Sequence, residues 1–151
     1  MIYADRTKRA LMLCFEAHKE QTDKSGLPYV FHPFHLAEQM DDEDSIVTAL
    51  LHDVVEDTAY TVEDLRERGF GGAVTDALTL LTHDPAVPYL DYVRNLAHNP
   101  LARKGKLADL RHNSDLSRLD HAPTERDFQR VKKYRKAAEI LQECESRGQL
   151  S

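Results

Sequence analysis

Tryptophan is absent from these 151 residues, and cysteine occurs only twice, as Cys14 and Cys144. Two distant cysteines make neither a disulfide framework nor a metal-spaced pair, so both read as reduced thiols. No apolar run approaches the length of a membrane span, and the opening MIYADRTKRA lacks the apolar stretch of a secretory leader. The expectation is a cytoplasmic protein with no membrane partner. Positive charge is also short: 20 Lys and Arg face 26 Asp and Glu, a net charge of -6 with histidine neutral. That argues against a nucleic-acid backbone as partner, because phosphate binding needs a basic surface. It leaves room for a small anion held by a few local cations or a metal. There is no alternating strand pattern of useful length, no internal repeat and no low-complexity segment.

What is present is helical periodicity. Hydrophobic residues are 41% of the chain and charged residues 30%, the balance of a globular protein, and residues 1–151 are expected to form one domain. Asp5 to Gln21 carries Leu11, Cys14, Phe15 and His18 on one side. TDKSGLPYVFHP reads as a loop broken by Gly26 and Pro28, with Pro33 opening a short helix. Asp44 or Ser45 is a plausible N-cap for the next, and Thr61 with Asp64 spells a capping box closed by Gly69. Further helices are expected over Gly72–Thr82, Pro88–His98, Leu101–Leu119 and Pro123–Arg147. The fold class is all-α, a bundle of about seven helices with short connections.

The chemistry concentrates in LLHDVVEDT, residues 50–58. Taken as one helix from Asp44 to Asp57, with His52 at zero, the residues Val47, Leu50, Leu51, Val54 and Val55 fall between about 160° and 300°. His52, Asp53, Glu56 and Asp57 fall between about 0° and 140°. One side is core. The other gathers an imidazole and three carboxylates, which repel one another unless a cation sits among them. A divalent metal is the simplest compensation; a solvated acidic face is the plain alternative. His32 in YVFHPFH and the face formed by Lys106, Asp109, His112 and Asn113 in KLADLRHN add two more polar clusters on core-forming segments.

In this order and spacing, KSGLPYVFHP, LLHDVVEDT, TVEDLRERGFG and KLADLRHN resemble the HD-domain phosphohydrolases. Within that superfamily they are most similar to the hydrolase domain of the RelA/SpoT enzymes and their small stand-alone relatives. The resemblance covers roughly residues 11–119. It implies an all-α HD-domain bundle that hydrolyses the 3′-pyrophosphate of ppGpp and pppGpp, the alarmones of the stringent response, with manganese. Carried over by position, it implies His32, His52, Asp53 and Asp109 as metal ligands. Glu56 and Asp57 would handle the attacking water and its proton, and Lys24, Ser25 and Asn113 would line the nucleotide site. Lys106 is a further candidate for the phosphates.

Four positions depart from the family pattern. Asp23 stands where an arginine usually packs on the base, Leu27 where a glutamate is usual, and Asp115 and Leu116 follow Asn113 in place of an Arg-Thr pair. The mixed N/O ligand set suits Mn(II), with Fe, Co or Zn as other options, better than Mg. Two further readings stay open: an HD phosphatase acting on another nucleotide, and a non-catalytic nucleotide-sensing module. His18 reads as a core histidine, and His83, His98 and His121 as surface. The last helix carries a packing stripe of Phe128, Val131, Tyr134, Ala138 and Leu141 that fits an intramolecular or a homo-oligomer contact equally well.

Overall fold

The computed structural model describes residues 1–150, with side chains through Gly148; residue 151 of the predicted domain lies outside them. The described residues form nine α-helices and one 3-10 turn, joined by loops, more than the seven or so helices expected. They are α1 (Asp5–His18), α2 (Phe31–Glu38), α3 (Glu43–Leu51), α4 (Val54–Asp57), α5 (Val62–Glu67), α6 (Ala73–Leu81), α7 (Tyr89–Leu96), α8 (Pro100–Asn113) and α9 (Glu125–Leu150), with the 3-10 turn at Leu116–Arg118 between the last two. The only β geometry among them is an isolated antiparallel bridge between Thr22 and Pro28.

The helix starts follow local chemistry. Asp42, rather than Asp44 or Ser45, caps α3: its carboxylate accepts the Ser45 N–H at 2.8 Å. Glu43 and Asp44 complete an acidic first turn that suits the positive end of the helix dipole. The capping box of α5 forms as its sequence spells it. Thr61 Oγ1 accepts the Asp64 N–H at 3.1 Å, and Asp64 returns the contact to the Thr61 N–H at 2.8 Å. Asn99 caps α8, with Pro100 in the first turn. Gly69 ends α5 at φ +90°, a left-handed conformation that glycine adopts without a Cβ clash.

Helix α3 is the axis of the molecule. Ser45 through Leu51 are all buried, and α1, α2, α6 and α8 pack around it. A helix buried on every side over two turns belongs in the centre of a bundle. The titratable residues of the polar side lie beyond α3, from His52 on, while Val47, Leu50, Leu51 and Val54 are buried in the core.

The predicted helix Asp44–Asp57 is broken there. Asp53 sits at φ -104°, ψ 0°, off the helical geometry, before one more turn forms as α4. The helix expected from Leu101 to Leu119 likewise ends at Asn113. Helix α9 packs on α7 and α8 through Val131, Ala137 and Leu141. Phe128, placed in its packing stripe, is exposed. Both cysteines are free thiols, and Cys14 is buried. Among the described residues, no helix is long and apolar enough to cross a membrane.

Candidate metal centre

Four elements deliver the polar side chains to one place. His32 comes from the first turn of α2, His52 from the end of α3, Asp53 from the break that follows, and Asp109 from α8. Asp109 Oδ1 lies 2.9 Å from His32 Nε2 and 3.5 Å from His52 Nε2, and Asp53 Oδ2 lies 3.0 Å from His52 Nε2. The two imidazoles and Asp109 are buried, and each offers an atom within 4.8 Å of the others. The break at Asp53 matters here. Consecutive residues of a regular helix point about 100° apart, so both cannot address one centre unless the helix ends between them.

The back side of each ligand candidate is fixed. His52 Nδ1 lies 2.7 Å from the Ala49 carbonyl, which can only accept, so Nδ1 carries the hydrogen. Its Nε2 then faces two carboxylates and makes no hydrogen bond of its own. A neutral imidazole would set lone pair against lone pair, so the position calls for a cation. Burial disfavours charge on His52, yet Asp53 and Asp109 hold its pKa well above the usual histidine value. A divalent ion satisfies the same demand, and the residues fit one. Asp53 also accepts a hydrogen bond from the Tyr29 hydroxyl. Asp109 is kept ionised against its burial by Lys106, whose Nζ lies 3.0 Å from Oδ2, and by the two histidines. Asn113 Nδ2 donates to Asp109 Oδ1 at 2.8 Å.

Glu56 and Asp57 lie on α4, with carboxylate oxygens within 4.8 Å of one another and of Asp53. Glu56 Oε1 accepts the backbone N–H of His83 at 2.7 Å, which ties α4 to the loop after α6. Partial burial, then the charges of Asp53 and Glu56, push the Asp57 carboxyl up to about 6. Two carboxylates three and four residues past one ligand candidate thus sit in different environments, one anchored and one reluctant to ionise.

A cavity opens on each side of the centre. That on the His32 side, ≈ 410 Å³, is walled by Lys24, Ser25, Tyr29, Asn113, Arg118 and Arg130. That on the Asp53 side, ≈ 320 Å³, is walled by Glu56, Asp57, Tyr89, Tyr92, Lys106 and Lys133. Asn113 and Tyr134 face both. Among the residues expected to bind substrate, Lys24 makes no ion pair and faces open space. Burial and the nearby Arg130 lower its pKa. Ser25 uses its hydroxyl to donate to the Arg118 carbonyl at 2.8 Å, joining the loop before α2 to the 3-10 turn. Lys106 pairs with Asp109 and lies over the Tyr89 and Tyr92 rings.

Asp23 does not face the cavity with a free carboxylate. Its Oδ1 accepts the Ser25 and Leu27 N–H groups at 2.9 and 3.0 Å. Leu27 is exposed, and Asp115 caps the 3-10 turn at Ser117. His83, read as surface, is half-buried beside the Asp53-side cavity, with Nε2 2.7 Å from the Val87 carbonyl. His18 is buried behind the site, its Nδ1 2.7 Å from Gln21 Oε1.

The residues that sequence reasoning missed are Tyr29, Arg130 and Lys133. Tyr29 stands three positions before His32, a spacing that leaves no trace in a loop. Arg130 and Lys133 belong to a charge-rich helix whose polar face looks solvated by pattern alone. His112 lies in the KLADLRHN face, but its contact with His32 Nδ1, at 2.7 Å, is visible only in three dimensions. Burial and the neighbouring Arg118, His32 and His35 pull its pKa down to about 4.

An all-α bundle with two histidines and Asp109 gathered at its centre, and three more carboxylates beside them, offers a donor set that fits a divalent metal. The HD domain family matches residues 10–88, and the chain belongs to that family.

A guanosine-3′,5′-bis(diphosphate) 3′-pyrophosphohydrolase of Aquifex aeolicus is 32% identical over 152 residues, covering 93% of this chain and 20% of the relative. A GTP pyrophosphokinase of Myxococcus xanthus is 37% identical over 140 residues, covering 81% of this chain and 18% of its own length. The chain thus spans about a fifth of these relatives. A solved structure described as a metazoan ortholog of SpoT that hydrolyses ppGpp superimposes with a TM-score of 0.71 at 26% identity, covering 98% of both chains. HD domains are metal-dependent, and the His/Asp cluster is where this chain would meet that requirement.

Proposed function

We propose that this chain is a metal-dependent phosphohydrolase that removes the 3′-pyrophosphate of ppGpp or pppGpp, taking up one water and releasing pyrophosphate with GDP or GTP. The observation that carries the reading is the convergence of His32, His52, Asp53 and Asp109 beside the carboxylates of Glu56 and Asp57. The likeness to 3′-pyrophosphohydrolases supports the substrate.

His32, His52, Asp53 and Asp109 would hold the ion, and the mixed nitrogen and oxygen set favours Mn(II). When bound, the metal supplies Lewis acidity: it makes water more acidic and offsets charge on the departing pyrophosphate. The chain's own residues do the rest. Glu56, held by the His83 N–H, orients the water and takes its proton. Asp57, with its raised pKa, is the member of the pair suited to carry a proton toward the leaving oxygen. Lys24 and Arg130 on one side, and Lys133 on the other, attract the remaining phosphates. Incubation with ppGpp and Mn(II) should yield GDP and pyrophosphate in equal amounts; GDP that appears with two orthophosphates from the outset would reject pyrophosphate release.

A second reading keeps the chemistry and changes the base. Asp23, where a base-packing arginine is usual, is engaged with its own loop. A panel of 2′- and 3′-phosphorylated nucleotides with different bases separates the two readings. Preference for guanine over adenine by less than about tenfold, 1.4 kcal/mol, would favour the second.

A further inference from the structure

A second imidazole meets the far edge of His32. The Nδ1 atoms of His32 and His112 are 2.7 Å apart, their ring planes differ by 3°, and the ring centroids are 5.0 Å apart. Parallel planes, a short N–N distance and centroids nearly twice as far apart describe two rings meeting edge to edge in one plane. That is an N–H···N hydrogen bond rather than a stack. The His112 ring is itself fixed. His35 covers its face with centroids 4.1 Å apart, and Arg118 donates to the His112 carbonyl at 2.8 Å.

We propose that His112 is a positioning residue for His32, accepting the His32 Nδ1–H so that Nε2 is presented to the metal. The proposal rests on His32 being a ligand. Nε2 of His32 is the nitrogen that faces Asp109, so it is the one a cation would take, and the ring proton then resides on Nδ1. His32 is 3% exposed, so that N–H needs a protein acceptor, and His112 Nδ1 is the atom in place. His112 in turn carries its proton on Nε2. A partner behind a metal-bound histidine fixes its tautomer and ring orientation and makes it a better donor to the ion. The two histidines of this centre use different partners for that purpose: the Ala49 carbonyl behind His52, and a neutral imidazole behind His32.

The test is a titration of Mn(II) into the chelator-treated full chain as wild type, His112→Asn and His112→Leu, with thermal melting of each metal-free protein. Asparagine sets an acceptor oxygen on the same γ carbon from which Nδ1 projects in histidine; leucine fills the space without one. The proposal expects Kd to rise roughly 10- to 100-fold in His112→Leu and by less than roughly threefold in His112→Asn, with metal-free melting unchanged in both. In the Zn(II)-loaded protein, NMR should show the His32 Nδ1–H proton hydrogen-bonded and shifted downfield in wild type and His112→Asn but not in His112→Leu, a difference that a space-filling role for His112 does not produce.

Wild-type affinity in His112→Leu, or equal losses in both variants, would overturn the proposal while leaving the metal centre standing. Failure of the wild type to bind metal would overturn the ligand reading and this proposal together.

Discussion

His52 faces Asp53 and Asp109 through Nε2, because its Nδ1 hydrogen is committed to Ala49. Removing the imidazole by His52→Ala should raise the Kd for Mn(II) by more than roughly 100-fold, since loss of a mere outer partner costs about 10- to 100-fold. Calorimetric titration checks this, and near-wild-type affinity would exclude His52 as a ligand. Glu56 calls for a different outcome. Its carboxylate holds the His83 N–H but lies outside the buried trio, so Glu56→Gln should leave metal affinity intact and lower kcat by roughly 100- to 10,000-fold. Equal losses of metal and turnover would instead make it a ligand. At this scale the sequence was informative where type and position suffice: His32, His52 and Asp109 lie together, with Asp53 against His52. It was silent on what lies behind them, because Tyr29 and His112 act through the loop path and the packing of α2 against α8.

Helix α3 carries His52, so its cap bears on the centre. The Ser45 N–H bond, opposed slightly by burial and aided by Lys104, holds the Asp42 carboxyl below its ordinary 3.8. A depressed carboxyl stabilises the fold above its unfolded pKa and loses that contribution as pH falls through the folded value. Asp42→Ala should therefore cost about 1 kcal/mol near pH 7, and the difference from wild type should shrink below about pH 4. Urea unfolding at both pH values reads this; a constant difference would mean that the charge of Asp42 plays no part.

On α8, a Cβ at Gly105 would meet Thr48 Cγ2 at 3.8 Å and Leu81 Cδ1 at 3.9 Å, ordinary contacts. Gly105→Ala should then stabilise by roughly 0.5–1 kcal/mol, and destabilisation in the same assay would show that α8 sits too close to α3 for a methyl. Element boundaries were the least legible feature. LLHDVVEDT contains neither glycine nor proline, so nothing local announces the break at Asp53. The break arises from the need to aim adjacent side chains at one centre while α3 is locked by core on every side.

Across the whole molecule, the metal candidates lie between two cavities, with Lys24, Arg118 and Arg130 on the wall of one and Glu56, Asp57 and Lys133 on the wall of the other. The all-α class and the order of the elements follow from apolar periodicity and from caps such as Thr61 and Asp64. The closure of the site by α9 does not, because Arg130, Lys133 and Tyr134 stand more than twenty residues beyond Asp109 and alternate with ordinary solvated charges. The departures at Asp23, Asp115 and Leu116 also take on a concrete meaning: they build and cap the two loops that wall one cavity, joined through Ser25 and Arg118.

The central claim is that a metal held by His32, His52, Asp53 and Asp109 drives hydrolysis of a 3′-pyrophosphate. Its most direct test is the pyrophosphate released from ppGpp by the full chain with Mn(II), compared with a chelator and with His52→Ala. The account predicts turnover in the first case alone, with GDP matching pyrophosphate. Manganese-loaded protein that leaves ppGpp intact, or equal turnover by His52→Ala, would contradict it.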